Sequence, residues 1–351
     1  MVEPTTDAST RLLEQVRDAL ASKTALHIQG GRSKAHLGRP VRGTPLDTRI
    51  HRGIVNYDPT ELIVTVRAGT PLQELEEALA RHDQWLPCEP PHLGPHATVG
   101  GMVAAGLSGP RRPWSGSVRD FVLGTRVITG LGKHLRFGAE VMKNVAGYDL
   151  SRLMAGSFGC LGLITEVSLK VLPKPRASST LRLSLDLEQA RRRLAEWGCQ
   201  PLPISAACHD GQALHLRLEG GEGSVAAARE RLGGEVAEAG FWEDLREQRL
   251  AFFSDPRPLW RLSLPPASTA PRLPGEHLLD WGGAQLWLKT DATAAQVQAE
   301  AHRLGGHAVC HAGGEAIFQP LSPGLLRLHQ QLKTSLDPQA IFNPGRMYAE
   351  L

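Results

Sequence analysis

Three glycine-bearing clusters crowd into residues 97–120 of this chain: Ala97-Thr98-Val99-Gly100-Gly101-Met102, then Ser108-Gly109-Pro110, then Gly116-Ser117-Val118-Arg119-Asp120. Glycine lets backbone N–H groups approach a ligand closely, and neighbouring threonine and serine add hydroxyl donors. A phosphate-bearing cofactor needs both. A helix starting near Val99 would turn its positive end toward such a phosphate. Isolated turns also use glycine, but three clusters within about 25 residues exceed what turns alone require.

An earlier segment, Gln29-Gly30-Gly31-Arg32-Ser33-Lys34, repeats the theme after a short strand predicted over 25–29, pairing glycines with cations and a hydroxyl. It is neither a dinucleotide G-x-G-x-x-G nor a Walker A loop, because the glycine spacing and the downstream G-K-[ST] are missing. Gly156-x-x-Gly159-x-x-Gly162 has Rossmann-like spacing, yet it lies between a short helix predicted over 148–154 and a strand predicted over 163–172. That order is the reverse of the Rossmann motif.

The rest of the chain alternates helices and strands. Leu12, Leu13, Val16, Ala19 and Leu20 fall at helical spacing, as do Leu72, Leu75, Ala78 and Leu79 after Pro71. Strands are predicted at 54–55 and 62–66, and a hairpin turns through Gly130-Leu131-Gly132. The strand over 163–172 reads as alternating and stops at Pro173 and Pro175, which marks a domain boundary. Residues 176–310 read as a small α+β unit. A helix over 324–333 with Leu325, Leu326, Leu328 and Leu332 at apolar positions precedes the turn Asn343-Pro344-Gly345.

With 351 residues, 41% of them hydrophobic, the chain can bury a large core and form two domains. Thirty-nine basic residues mixed among 36 acidic ones, a net charge of +3, lack the one-sided pattern of a nucleic-acid binder. The N-terminus carries no apolar segment of signal-peptide type, and no stretch reaches the length of a spanning helix, so the expected location is cytoplasmic with no direct membrane span. The five cysteines (Cys88, Cys160, Cys199, Cys208 and Cys310) never pair as C-x-x-C, which argues for reduced thiols rather than disulfides, zinc or an iron-sulfur site.

Taken together, residues 98–110, 117–124, 143–149 and 159–169 resemble the PCMH-type (vanillyl-alcohol oxidase-like) FAD-binding family. Within it they are most similar to the FAD-binding subunits of bacterial glycolate oxidases, and residues 337–346 match the segment with which such chains commonly close. The resemblance implies an α+β fold. Its parts are a PCMH-type FAD-binding domain of two α/β subdomains over 1–175, a small α+β cap domain over 176–320, and a C-terminal helix and tail over 321–351 that returns to the FAD domain.

Carried over position by position, the resemblance makes Gly30, Gly31, Arg32, Ser33 and Lys34 the first pyrophosphate loop. Thr98, Val99, Gly100 and Gly101, with Ser108 and Gly109, make the second. Ser117, Arg119 and Asp120 would line the cofactor, Ile164 would meet the nucleotide through its backbone, and Asn144 and Tyr148, beside Lys143, would sit near the isoalloxazine. Gly159 and Gly162 complete the cofactor-binding set. No catalytic residue is singled out. Arg111 and Arg112 lie beside these loops in sequence.

Relatives that oxidise 2-hydroxy acids hold a divalent metal with a C-terminal histidine and glutamate cluster. Here the candidate is His302, His307, His311 and Glu315, but Gly305-Gly306 interrupts it and the paired motifs are absent, so no metal is expected. The implied cofactor is FAD, bound noncovalently, since no histidine or cysteine falls in a linkage pattern. The implied function is glycolate oxidation within a complex, in which a second flavoprotein subunit and an iron-sulfur subunit carry electrons toward the inner membrane. A self-sufficient FAD-dependent hydroxy-acid or alcohol dehydrogenase and a non-catalytic FAD-containing interaction subunit are the alternatives.

Overall fold

A computed structural model of the chain describes residues 5–138, 149–313 and 317–351. The chain forms two compact units, one built from Met1–Ser108, Gly116–Pro173 and Pro320–Leu351, the other from Gly109–Ser115 and Lys174–Gln319.

The first unit is organised by a five-stranded antiparallel sheet whose strands lie in the order Ile54–Asp58, Ile63–Arg67, Leu163–Lys170, Val122–Ile128, His134–Gly138. On it packs the helix Leu72–Ala80, whose Leu72, Leu75 and Leu79 are fully buried at helical spacing, together with the helix Val99–Ala105 through Val99, Met102 and Val103. Pro71 precedes the first of these helices. Thr98 caps the second, and Gly106 ends it in the left-handed region (φ 64°) that glycine tolerates.

The strand Leu163–Lys170 does not alternate as its sequence suggests. All but its last residue are buried, because it is the middle strand and apolar clusters cover it on both sides. Val167 and Leu169 join the cluster under those two helices, whereas Leu163 joins a second cluster with Leu12, Val16 and Ala19 of the helix Ser9–Ser22. Its buried polar residues are paired: Ser168 Oγ lies 2.9 Å from Thr65 Oγ1, and Glu166 meets Arg126.

The C-terminal segment is sewn into the same unit. Ile341 and Phe342 enter the second cluster beside Leu26 and Leu46, and Leu26 N–H donates to Ile341 O at 2.7 Å while Asn343 N–H donates to Leu26 O at 3.0 Å. The helix before it, Pro323–Leu336, departs from its sequence reading, since Leu325 and Leu328 are 50% and 55% exposed and the buried residue is Lys333. An ion pair rather than a leucine stripe fixes this helix.

Near the N-terminus, His51 is completely buried and its Nδ1 accepts a hydrogen bond from Ala8 N–H at 3.0 Å, which requires an unprotonated nitrogen. Burial pushes its pKa down to about 4, outweighing the pull of the Asp7 carboxylate 3.6 Å away. A histidine whose pKa is depressed on folding binds fewer protons folded than unfolded, so its stabilisation is present above pH ~6.5 and is lost as pH falls toward ~4. Stability should therefore drop by about 2 kcal/mol from this group between about pH 7.5 and about pH 5. Urea unfolding of His51→Gln across that range should lack this share of the acid loss.

The second unit is an eight-stranded antiparallel sheet in the order Glu235–Ala237, Ala177–Leu183, Leu214–Gly220, Ile204–His209, Glu276–Asp280, Gln285–Lys289, Leu259–Ser263, His307–Ala312. Helices Leu187–Gly198 and Ala294–Arg303 start at capping boxes formed by Asp186 with Gln189 and Thr293 with Gln296. Among the described residues no helix of the chain is long and apolar enough to cross a membrane.

Candidate cofactor site

In the first unit, the two glycine loops lie against each other. A Cβ on Gly31 would overlap the carbonyl oxygen of His96, and one on Gly30 would come within 2.5 Å of Thr98 Oγ1. The first loop can therefore nest on the segment before the helix Val99–Ala105 only because these two positions lack side chains. Lys34 Nζ fixes the contact by donating to His92 O at 3.0 Å.

Within the first loop, Arg32 adopts a φ of 59°, a turn that makes successive N–H groups converge. The N–H groups of Gly31, Arg32 and Ser33 donate to no acceptor among the described residues. The field there is positive. After burial, the largest influences lowering the pKa of His36 are the charges of Lys34 and Arg346, and those on His27 are Arg346 and Arg32. Arg32 and Arg346 have no ion-pair partner among the described residues. Converging free N–H groups under uncompensated cations are what a diphosphate requires.

The helix start at Val99 is arranged differently from its sequence reading. Val99 N–H donates to Thr70 O at 2.9 Å, Gly100 N–H to Ala68 O at 2.8 Å and Gly101 N–H to Thr98 Oγ1 at 3.3 Å. These donors are spent on holding the helix to the sheet, so what this segment gives the first loop is a surface to rest on. Ser108 Oγ accepts from Val118 N–H at 3.0 Å, while Gly109 belongs to the second unit, where its carbonyl accepts the Trp281 indole N–H at 3.0 Å. Ser117 and Asp120 bond to each other as the capping box of the short helix Val118–Phe121, on which Arg119 is exposed.

Gly159 and Gly162 serve packing. A Cβ at Gly159 would meet Asn343 Nδ2 at 2.7 Å, and one at Gly162 would meet Val127 Cγ1 at 2.6 Å. Ile164 is buried on the central strand. Cys160 Sγ donates to Asn343 O at 3.6 Å, and burial raises its pKa, as befits a structural thiol. Lys143, Asn144 and Tyr148 lie outside the described residues.

Two residues that sequence reasoning left without a role hold the site together. Asn343 Oδ1 accepts from Ile28 N–H at 2.8 Å and its Nδ2 donates to Phe158 O at 2.7 Å, so one side chain ties the strand feeding the first loop to the 156–162 loop. Arg346 donates to Ala35 O at 3.1 Å and Arg39 O at 2.9 Å, clamping the far end of the first loop. The sequence signals were the turn Asn343-Pro344-Gly345 and the match of residues 337–346 to the closing segment of the resembled family, neither of which assigned these side chains a role.

Of the candidate metal ligands, His302 and His307 are exposed, and His311 is buried with its ring edge-on to Trp287 at 4.8 Å. Glu315 lies outside the described residues, and among those described no group of three or more His, Cys, Asp or Glu could hold a metal. Arg111, in the second unit, is ion-paired with Glu219.

The fold and the loops define a flavoprotein of the PCMH type, and residues 2–138 match the family described as FAD binding domain. Glycolate oxidase subunit GlcE of Escherichia coli (strain K12) is 64% identical over 345 residues, covering 98% of this chain and 99% of that protein. This chain belongs to that family of glycolate oxidase subunits, and its cofactor is FAD. Glycolate oxidase subunit GlcD of Bacillus subtilis (strain 168) is 35% identical over 128 residues, 36% of this chain and 27% of that protein. The same fold occurs in solved alkyldihydroxyacetonephosphate synthase, with a TM-score of 0.67 at 17% identity over 97% of this chain and 75% of that one.

Proposed function

We propose that this chain is the FAD-binding subunit of a glycolate oxidase, oxidising a small 2-hydroxy acid within a multi-subunit complex. The observation that carries the reading is the 64% identity running end to end with a glycolate oxidase subunit. The partners we infer are a second flavoprotein subunit and an iron-sulfur subunit. Through them a cytoplasmic chain would deliver electrons to the inner membrane.

The residues that would hold the FAD diphosphate are Gly31, Arg32 and Ser33 through their N–H groups, with Arg32, Lys34 and Arg346 supplying positive charge. Thr98 and His96 support that loop from behind, with Gly101 N–H donating to Thr98 Oγ1 and Gly100 packed on Ala68. Ser108, Ser117, Arg119, Asp120, Asn144, Tyr148, Gly159, Gly162 and Ile164 complete the cofactor's surroundings in this reading, and Gly109 joins them through its link to Ser108. When bound, FAD supplies the two-electron acceptor for oxidation of a CH–OH group. The chain's cysteines do not form the clustered motif an iron-sulfur centre needs, which fits a relay carried by another subunit.

The test is anaerobic addition of glycolate to the purified chain, alone and with its co-purifying partners. The complex should bleach its flavin rapidly, and the isolated chain should retain FAD yet reduce it slowly. Rapid turnover by the isolated chain would replace this reading with a self-sufficient dehydrogenase.

A further inference from the structure

The second unit contains an arginine whose charge no acid among the described residues answers. Arg261 lies on the strand Leu259–Ser263, opposite Trp287 on one neighbouring strand and Val309 on the other. Its chain neighbours Trp260 and Leu262 point into an apolar cluster with Leu286, Leu288 and Ala308, so Arg261 projects from the opposite face, that of Leu259 and Trp287. Arg261 Nε is buried with no acceptor, and the side chain has no ion pair among the described residues. Part of the residue remains accessible. Burial lowers its pKa to about 10, and the one charge that adds to this is another cation, Arg112.

Several other arginines of the same unit are answered by acids or an aromatic ring. Arg111 and Arg217 share Glu219, and Arg257 pairs with Asp255 and Glu276. Arg112 rests over the Trp281 ring, 4.4 Å from its centroid, and that ring is fixed by its N–H donating to Gly109 O. An unanswered, largely desolvated guanidinium beside a second cation costs free energy that packing does not return. A bound anion would return it, and a guanidinium fork matches a carboxylate in two parallel hydrogen bonds.

We infer that Arg261, with Arg112 beside it, forms an anion subsite of the second unit that takes the carboxylate of a small organic acid. The inference rests on the proposed 2-hydroxy-acid function and gives that substrate's charged end a place to bind.

The probe is oxalate, titrated calorimetrically into the FAD-loaded full-length chain and its Arg261→Met and Arg261→Lys variants. Arg261→Met should weaken oxalate binding by about 10- to 100-fold, the loss expected for one charge-assisted pair, and Arg261→Lys by less. Both variants should keep their FAD. The melting temperature of Arg261→Met should hold or rise, since an unanswered charge has been removed. Unchanged oxalate affinity, or a melting temperature that falls while affinity holds, would overturn the subsite. If the complex fails to oxidise glycolate while oxalate binding still depends on Arg261, the functional reading falls and the subsite stands.

Discussion

Alanine at Gly31 is expected to weaken FAD binding by about a hundredfold or more, which is about 2.7 kcal/mol. The added Cβ would overlap the His96 carbonyl oxygen, so the first loop must lift away from the segment that supports it. Lifting the loop scatters the N–H groups of Gly31, Arg32 and Ser33, and losing two charge-assisted bonds worth about 1.5–3 kcal/mol each accounts for the effect. Fluorescence titration of the apo-chain with FAD measures it. Gly198→Ala is the control, because that helical glycine has nothing within 4 Å of a new Cβ. It should leave FAD affinity unchanged and raise stability by about 0.5–1 kcal/mol.

Lys333→Met is expected to cost about 3–5 kcal/mol of folding stability, the typical penalty for breaking one side of a buried ion pair. Lys333 Nζ spends its three donors on Cys160 O, Asp337 Oδ2 and Phe342 O, each at 2.7 Å. Asp337 is 1% exposed and also accepts from the N–H groups of Ile341 and Phe342 at 3.1 and 2.8 Å. Without the ammonium, its carboxylate stays buried against two weak donors. The C-terminal segment then loosens, and with it Asn343 and Arg346, so FAD retention should fall as well. The double substitution Lys333→Met, Asp337→Leu should recover part of the loss, because an apolar pair leaves no stranded charge. Urea midpoints of the three proteins check this.

These effects bear on what the sequence could disclose. The glycine loops were legible because few other arrangements explain glycine, hydroxyl and cation side by side, and a helix near Val99 was expected beside them; its threonine cap appears in the structure. Which loop keeps free N–H groups was not. Thr70 O and Ala68 O, which consume the donors of Val99 and Gly100, reach the helix through tertiary packing. The central strand misled by appearing to alternate, since period-two patterning assumes one solvated face and Leu163–Lys170 has none.

Asn343 was unreadable as a site residue for a plainer reason, since its partner Ile28 lies 315 residues away in the chain. Leu325 and Leu328 suggested a buried helical face, whereas the helix is held by a lysine that composition marks as surface. Arg261, between Trp260 and Leu262, carries no signal in the sequence that separates it from any other arginine on a strand. What marks it in the folded unit is a buried Nε with no acceptor and no ion pair among the described residues.

The central claim, that the loop at Gly31 to Lys34 is built to hold the diphosphate of FAD, is tested most directly by the flavin content of the purified chain and of Gly31→Ala. The unaltered chain should carry the two visible bands of oxidised flavin and release FAD in equimolar amount into the supernatant when acid precipitates the protein. Gly31→Ala should fold and emerge colourless. Full FAD retention by Gly31→Ala, or a folded unaltered chain that binds no FAD, would contradict it.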